Sequence, residues 1–449
     1  MSGHVSQIRT AALVAVGSEL LGTTRLDTNS LYLTDQLNRV GIEVVCKAVV
    51  GDNRDDCAQM VRSFVERADL LVMCGGLGPT DDDVTREVVA AVFDRPLAED
   101  LDLTARLRAR YAARGYAGAM PENNRRQAMV PRGADVIANA AGSAPGLWLE
   151  VDGRVVVLLP GPPRELKPMF ATLVEERLRP RTDGASLLRV VVKLTGRIES
   201  QVDETLQPLY REWSAQDPPI GATILAALGQ IELHLSVRHR SEAEARARLL
   251  AAATEVTGLL GSDVFSVDGE RLEEVVGRLL ASRGLTVAAA ESCTGGLMTS
   301  RLTDVPGSSR YVRHAVVAYA NDVKTTVLGV DPALLEAHGA VSEQVACAMA
   351  EGIRAVAGAD FGVGITGIAG PDGGTPAKPV GTVAVAVAEP RGTRSRMFRF
   401  HGERDLVKFQ ASQAGLDMVR RVLQGHPSAP GSAAGTLATP PSTARPASA

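Results

Sequence analysis

The sequence predicts an α/β protein in which two doubly wound α/β domains are separated by a small α+β domain. In the first and last thirds of the chain, short apolar runs alternate with amphipathic helical segments, a pattern typical of parallel sheets covered on both faces. Between these parts, apolar and polar residues alternate with a period of two, which indicates a sheet with one face in water. The length of 449 residues suggests about three domains.

The predicted first domain spans residues 1–170. Its strands are expected at residues 11–16, 42–50, 70–74 and 155–159. Its clearest helix has apolar residues at i, i+3, i+4, i+7 and i+8, from Cys57 to Val65. Two more helices are expected, one starting at Asp27, Thr28 or Asn29 and one around Val84 to Val92. Because strand and helix alternate, this domain is predicted to hold a parallel, doubly wound sheet.

The predicted middle domain, residues 171–262, is small and α+β. A helix is expected near residues 198–213 and a long one at 241–260. Between them lies a strand at residues 231–237, where Ile231, Leu233 and Leu235 alternate with polar residues.

The predicted third domain spans residues 263–425. Its first helix is expected to end at Gly284, and later helices are expected to start at Asp331-Pro332 and at Ser342. Strands are predicted at residues 285–290, 315–319, 361–365, 380–388 and 397–400, with a closing helix after them. The Pro-, Ala- and Ser-rich tail, residues 426–449, is predicted to be disordered.

The composition argues against several classes of protein. The formal net charge of -4 favours neither nucleic acid nor an anionic membrane as a partner, so direct nucleic-acid binding is not expected. Five cysteines without a CxxC spacing fit a reduced, cytoplasmic protein. No apolar run reaches the length of a membrane helix, and the first residues lack the apolar segment of a signal peptide.

A glycine- and aspartate-rich segment follows the strand at 70–74. Glycines at a strand end let backbone N–H groups approach a phosphate, and adjacent aspartates are suited to Mg²⁺ or a similar cation. The alternative is that the aspartates only cap the next helix. The predicted metal ligands are Asp82 and Asp83, and the predicted ligand-binding residues are Gly75, Gly76, Gly78, Thr80 and Thr85, with Asp52, Asn123 and Asn124 on neighbouring loops.

A second segment, Glu291-Ser292-Cys293-Thr294-Gly295-Gly296, places a hydroxyl at a strand-to-helix turn. This is the arrangement of an exposed nucleophile beside an oxyanion hole. Lys324 is the candidate base if burial lowers its pKa, and Tyr319 is expected to end a strand and to relay a proton or orient Lys324. The alternatives are that Ser292 merely caps a helix and Lys324 is a surface lysine, or that Cys293 is the nucleophile.

A third segment, residues 364–375, contains five glycines after a buried strand. It includes Thr366 and Gly370 and is suited to hold a phosphate or a flat polar ring. Arg404 is expected to open the last helix, where it either neutralises a phosphate or lies in solvent.

These motifs together resemble those of the competence/damage-inducible protein A (CinA) family. The matching stretches follow one another between residues 8 and 425, and they read VGSELL, GDN, GGLGPTDDDVT, PENNRRQA, LLPGPP, ESCTGG, TDVPGSS, VVAYAND, HGAVSE and GITGIAGPDGG.

The resemblance implies a molybdopterin-binding-like first domain, a KH-like middle domain and a nicotinamide-nucleotide amidase as third domain. It implies that the third domain deamidates nicotinamide mononucleotide to nicotinate mononucleotide, without a cofactor. The first domain would hydrolyse ADP-ribose with a divalent metal, so that both activities serve pyridine nucleotide recycling. A homodimer is also expected.

By the same resemblance, Ser292 is the catalytic serine, with Tyr319 and Lys324 as its partners. The residues implied to contact the ligand at this site are Glu291, Thr294, Gly295, Thr366, Gly370 and Arg404. Lys408 and Gln410 stand where the family commonly has arginine, which leaves the affinity for substrate open. Two other readings stay open: a module that binds a pterin or nucleotide without turnover, and an accessory protein of competence or DNA damage.

Overall fold

The computed structural model describes residues 7–113, 120–227 and 229–426. The chain divides into two compact units, residues 1–188 with 236–248, and residues 189–235 with 249–449. The three-domain boundaries expected from the sequence stay a prediction. From residue 427 on, the tail lies outside the described residues. Among the helices described, none combines the length and the apolar character needed to cross a membrane.

The first unit is built on a six-stranded sheet in the order β2-β1-β3-β8-β7-β6. Its strands are β1 (Thr10–Val16), β2 (Glu43–Val50), β3 (Leu70–Cys74), β6 (Ala134–Ile137), β7 (Gly146–Val151) and β8 (Arg154–Leu159), and β4 (Leu97–Glu99) and β5 (Met129–Pro131) form a separate ladder. Its helices are α1 (Asn29–Arg39), α2 (Arg54–Val65), α3 (Thr85–Val92), α4 (Leu101–Ala113) and α5 (Pro163–Leu173). All four predicted strands and all three predicted helices are confirmed.

This sheet is mixed, which corrects the expectation of a purely parallel one. Strands β1, β2, β3 and β8 are parallel, but β7 pairs antiparallel with both β8 and β6. A two-residue turn joins β7 to β8, and both of its residues, Asp152 and Gly153, have positive φ. An Asp-Gly pair of this kind favours a tight hairpin, so this signal was present in the sequence.

Alternate residues of the central strands face two separate cores. Leu13 packs in one core with Leu33 of α1 and Phe170 of α5. Val14 packs in the other with Val61 of α2 and Val89 of α3. Since helices cover both faces, the sheet is buried on both sides. A ligand is therefore expected at the edge where the parallel strands end.

The second unit contains a five-stranded sheet and most of a four-stranded one. The four-stranded sheet has β9 (Ser186–Leu194), β10 (Ile220–Ala227), β11 (Gln230–His239) and β12 (Val264–Ser266), with α6 (Glu199–Ser214) and α7 (Glu242–Leu260). The five-stranded sheet has β13 (Val287–Glu291), β14 (Val312–Val317), β15 (Phe361–Gly367), β16 (Thr382–Glu389) and β17 (Gly392–Arg399). The remaining helices are α8 (Leu272–Arg283), α9 (Leu297–Thr303), α10 (Asn321–Thr326), α11 (Pro332–His338), α12 (Glu343–Ala357) and α13 (Arg404–Leu423).

The four-stranded sheet confirms the predicted wet face, since the apolar residues of β11 are buried while the intervening polar ones are partly exposed. The sequence reading missed three of its strands, β9, β10 and β12. Neither β9 nor β10 shows the regular alternation that identified β11, because each has adjacent apolar residues on both faces.

The five-stranded sheet has the order β14-β13-β15-β16-β17. Strands β14, β13 and β15 are parallel, and β16 and β17 are antiparallel, so this sheet is also mixed. Helix α12 covers one face through Met349 and Ile353, and α13 covers the other through Val407 and Leu416. The carboxyl ends of β13, β14 and β15 therefore meet at one open edge.

Candidate functional sites

Ser292 lies at the first residue after β13, between the ends of β14 and β15. Glu291, the last residue of β13, is level with Val317 of β14 and Ile365 of β15. The Ser292 N–H donates to the Ile365 carbonyl at 2.9 Å, which fixes the serine at the strand end. Gly295 and Gly296 then turn the chain into α9 with φ of 62° and 92°, a backbone form that favours glycine.

Lys324 is buried beneath Ser292, with 1% of its surface exposed. Its Nζ lies 3.4 Å from Ser292 Oγ, 2.9 Å from the Ala318 carbonyl oxygen and 3.3 Å from the Tyr319 carbonyl oxygen. Burial lowers the pKa of this ammonium below its ordinary value. The structure therefore brings together the Ser–Lys pair that the sequence reading suggested.

Cys293 does not have the properties of a nucleophile. Its thiol is buried, and that burial raises its pKa to about 12. Because the thiolate is the reactive form, a thiol with such a pKa is inert near neutral pH.

The Tyr319 side chain lies elsewhere than expected. Strand β14 ends at Val317, so Tyr319 does not end a strand, and the residue is 62% exposed. Its hydroxyl accepts a hydrogen bond from Arg404 Nη2 at 3.0 Å, whereas Lys324 contacts only its backbone carbonyl. Tyr319 thus orients Lys324 through the main chain, and its phenol belongs to the wall of the site.

Arg404 opens α13, as predicted, and connects two loops. Besides Tyr319, its guanidinium donates to the Gly370 carbonyl at 2.6 Å, within the glycine-rich segment. Lys378, just beyond the segment, exchanges hydrogen bonds with Thr375 through its own backbone, and its Nζ donates to the His338 carbonyl at 2.8 Å. The glycine-rich loop is therefore held at two points beside Ser292's strand end.

The two departures from the family pattern lie in different surroundings. Lys408 stands one helical turn after Arg404, and its Nζ lies 3.9 Å from the position a Cβ would take on Gly295. Gln410 instead packs against Gly229 at the turn between β10 and β11. Only Lys408 reaches the loop that carries Ser292.

Three residues that were predicted to contact the ligand, Glu291, Thr294 and Thr366, have buried side chains. Two of them form hydrogen bonds within the protein. The Glu291 carboxylate accepts from Met298 N, Thr299 N and Thr299 Oγ1 at 2.7–3.1 Å, and so caps α9. Thr366 Oγ1 donates to the Ala340 carbonyl at 2.8 Å. The Thr294 hydroxyl is fully buried and has no partner among the described residues.

In the first unit, loops from four parallel strands meet at one edge. A Cβ on Gly75, after β3, would lie 2.1 Å from the carbonyl oxygen of Val16 in β1, and the Cβ of Gly161, after β8, would lie 3.5 Å from Gly75 Cα. Asp52, after β2, accepts from Ser18 N at 2.9 Å. The predicted loops thus lie along one edge, and only glycine fits at position 75, where the Val16 carbonyl leaves no room for a Cβ.

The aspartates of this edge differ in their surroundings. Asp83 accepts from both Thr80 N and Thr80 Oγ1, at 2.9 and 2.6 Å, while Asp82 is exposed. Asp81 is paired with Arg126 at 2.7 Å. In the described parts of the chain, no group of three or more His, Cys, Asp or Glu side chains is arranged to hold a metal ion.

Other predicted residues of this edge bond within the protein. Thr85 is buried and its hydroxyl donates to the Gly75 carbonyl at 2.8 Å. Asn124 is also buried, and its amide donates to the Tyr111 hydroxyl at 2.5 Å, whereas Asn123 is exposed.

The sequence reading overlooked two side chains at this edge. The sequence pattern marks Asn29 only as a possible helix start, yet its amide donates to the Gly161 carbonyl at 2.7 Å, and its Oδ1 is buried. Arg86 is 2% exposed and donates to the backbone carbonyls of Leu77 and Gly78, in the turn after β3. Its position within an amphipathic helix gave no signal of this contact.

The fold and these sites define a two-unit α/β protein with a buried Ser–Lys pair at one sheet edge and a glycine- and aspartate-rich loop at another. Residues 269–423 match the family model described as "CinA C-terminal domain", and residues 12–180 match the one described as "Probable molybdopterin binding domain". The chain belongs to the CinA family.

Its relatives match it over nearly their full length. A "CinA-like protein" of Koribacter versatilis is 46% identical over 417 residues, which are 92% of this chain and 99% of the relative. A "Putative competence-damage inducible protein" of Symbiobacterium thermophilum is 47% identical over 428 residues, 93% of this chain and 99% of the relative. Among solved structures, a CinA protein "with unknown function" from Thermoplasma acidophilum is 31% identical with a TM-score of 0.35, and the match covers 37% of this chain and 98% of that one.

Proposed function

We propose that the second unit is a nicotinamide-nucleotide amidase, which converts the carboxamide of nicotinamide mononucleotide to a carboxylate and ammonia. The observation that carries this proposal is the buried Lys324 amine 3.4 Å from the Ser292 hydroxyl. A serine needs a base to become nucleophilic, and a lysine serves as one when burial lowers its pKa.

The contacts of Lys324 explain how a neutral amine would be oriented. Its two N–H groups would donate to the carbonyls of Ala318 and Tyr319, and its lone pair would then face Ser292 Oγ. A separation of 3.4 Å is long for a catalytic hydrogen bond, but such bonds commonly shorten when substrate binds.

In the proposed reaction, Ser292 Oγ attacks the carboxamide carbon while Lys324 takes the hydroxyl proton. The tetrahedral intermediate collapses, the C–N bond breaks, and Lys324 returns the proton to the leaving ammonia. Water then attacks the resulting ester, so that the acid is released and the serine is restored.

We infer that Arg404 and Lys408 recognise the phosphate of the mononucleotide. They lie four residues apart on α13, so they share a face of the helix, and they reach the glycine-rich loop and the Gly295 turn respectively. Two cations beside the Ser–Lys pair suit a singly phosphorylated substrate.

Ammonia release from nicotinamide mononucleotide tests the amidase. Wild type is expected to release ammonia, and Ser292→Ala is expected to lose this activity. Cys293→Ala is the matched control and should retain it, because the Cys293 thiol is inert. Full activity in Ser292→Ala would refute the assignment of the nucleophile, and no activity in wild type would refute the amidase itself.

We propose a second activity for the first unit, the metal-dependent hydrolysis of the pyrophosphate of ADP-ribose. Its support is the edge where the ends of four strands meet: the Asp83 carboxylate lies next to Gly78, the exposed Asp82 adjoins it in sequence, and Asp52 accepts from Ser18 on a neighbouring loop. Two carboxylates fit a Mg²⁺ ion that takes its other ligands from water and substrate phosphate, since Mg²⁺ is often bound in this way. When bound, the cation would neutralise phosphate charge and activate water.

Excess EDTA is expected to abolish ADP-ribose hydrolysis, and Asp82→Asn combined with Asp83→Asn should do the same. Unchanged hydrolysis under EDTA would argue against the metal. The match to a molybdopterin-binding family model favours a second candidate, a pterin-binding site without turnover. A tight pterin complex with no ADP-ribose hydrolysis would favour that candidate.

A further inference from the structure

The carbonyl groups of the turn from Gly75 to Gly78 all point toward donors within the protein. The Gly75 and Gly76 carbonyls accept from the Thr85 hydroxyl at 2.8 Å and the Thr85 N–H at 3.2 Å. The Leu77 and Gly78 carbonyls accept from Arg86 Nη2 at 3.1 and 3.4 Å. Two adjacent residues at the start of α3 thus hold four consecutive carbonyls.

This arrangement determines where the N–H groups of the turn point. In a trans peptide the C=O and the following N–H point in opposite directions. The N–H groups of Gly76, Leu77 and Gly78 therefore point away from Thr85 and Arg86. Within the described residues, none of these three N–H groups has a hydrogen-bond acceptor. Consecutive free N–H groups form a concave site suited to an anion.

Arg86 is unusual because its charge is buried without a carboxylate bonded to it. Besides Leu77 and Gly78, its guanidinium donates to the Arg126 carbonyl. Asp83 and Glu87 are the nearby acidic groups, but Asp83 accepts hydrogen bonds from Thr80 and Glu87 is paired with Arg126 at 3.2 Å. A guanidinium stays protonated even when buried, so a positive charge remains behind the turn.

We propose that Arg86 is a positioning residue for pyrophosphate binding: it holds the Leu77 and Gly78 carbonyls inward, keeps the turn's N–H groups free for the anion, and adds a buried positive charge. The inference rests on the proposed role of this edge as a phosphate site. It assigns to Arg86 no contact with the reacting atoms.

The test uses the full chain and inorganic pyrophosphate, with binding measured by isothermal titration calorimetry. Arg86→Met is expected to weaken binding by about tenfold or more, because a charge and its hydrogen bonds are lost. Arg86→Lys keeps the charge but not the planar guanidinium, so its affinity for pyrophosphate should lie between those of wild type and Arg86→Met. Arg125→Met is the matched control and should bind as wild type, since Arg125 bonds to the carboxylates of Glu99 and Glu122.

Chemical rescue separates positioning from a merely structural role. Free guanidinium ion should restore pyrophosphate binding to Arg86→Ala and have no such effect on wild type. Thermal unfolding of each variant checks that the first unit is folded, and if Arg86→Met does not fold, Arg86→Lys carries the test. Wild-type affinity in both Arg86→Met and Arg86→Lys would overturn the inference, and so would an absence of pyrophosphate binding by wild type.

Failure of the proposed hydrolysis gives a different result. If wild type binds pyrophosphate, loses affinity on Arg86 substitution and yet does not cleave ADP-ribose, the hydrolase proposal fails while the role of Arg86 stands.

Discussion

At the scale of single residues, burial separates the two candidate nucleophiles, Ser292 and Cys293. Ser292 and Lys324 are 32 positions apart in sequence, so their pairing was a prediction until the structure placed Lys324 Nζ 3.4 Å from Ser292 Oγ. In the structure, Lys324 is buried against two carbonyls, and Cys293, next to the serine, is too buried to ionise near neutral pH. The Ser–Lys pair is therefore preferred to a cysteine nucleophile.

The proposed amidase activity is expected to depend on pH through Lys324. Only the neutral amine can take the serine proton, and burial lowers the pKa of Lys324 below its ordinary value. Activity is thus expected to rise with pH through that lowered pKa and to be lost as the amine is protonated at lower pH. The measurement is kcat/KM for nicotinamide mononucleotide against pH. Lys324→Met should be inactive throughout, and a flat profile for wild type would exclude Lys324 as the base.

Lys408 is predicted to affect substrate affinity. Removing its charge in Lys408→Ala should raise KM for nicotinamide mononucleotide by about tenfold with a smaller change in kcat, because the proposed phosphate contact would be lost. Lys408→Arg should retain or improve affinity, since a guanidinium binds phosphate through two donors. Gln410→Ala is the control, as Gln410 packs against Gly229. Equal KM values for Lys408→Ala and Gln410→Ala would contradict this role.

At the scale of elements, the start of α9 depends on Glu291, the residue that precedes Ser292. The Glu291 carboxylate binds two N–H groups and one hydroxyl at the start of α9, only a few residues beyond Ser292. Glu291, which was expected to contact the ligand, thus caps the N-terminus of α9. The cap fixes the turn on which Ser292 stands.

Glu291→Gln is expected to lower the free energy of unfolding of the second unit by about 1 kcal/mol, the usual effect of losing a cap. It should also reduce kcat of the amidase, because the Ser292 turn loses its anchor. Urea unfolding and steady-state kinetics measure the two effects. Glu336→Gln, an exposed change on α11, serves as control. A stable Glu291→Gln protein with altered KM alone would instead indicate a ligand contact.

At the scale of the whole molecule, two chemically different sites lie in two separate units. One is proposed to use a Ser–Lys pair and the other a divalent cation, so each should be removable without the other. Ser292→Ala is expected to lose ammonia release and keep ADP-ribose hydrolysis, while EDTA should have the opposite effect. Both assays on one preparation test this, and loss of both activities by either treatment would show that the sites are not independent.

Much of the fold was determined by local patterns in the sequence. Every helix predicted in the first domain is present, and so are its four strands, because periods of 3.6 and continuous apolar runs report burial directly. Strands β6 and β7 were not predicted, and β16 and β17 were predicted without their antiparallel direction, since strand direction depends on partners distant in sequence. Strands β9 and β10 were missed because they lack regular alternation.

The sequence by itself predicted which loops would carry chemistry, because glycine, serine and aspartate at strand ends are local signals of a ligand-binding edge. Only the tertiary structure decided the role of each side chain: Lys324 beneath Ser292, Glu291 as a cap, Tyr319 on Arg404, and Arg86 behind the glycine turn. The physical reason is that the burial and the hydrogen-bond partners of a side chain depend on which residues surround it in the folded chain. They are set by residues tens of positions away, which no local pattern records.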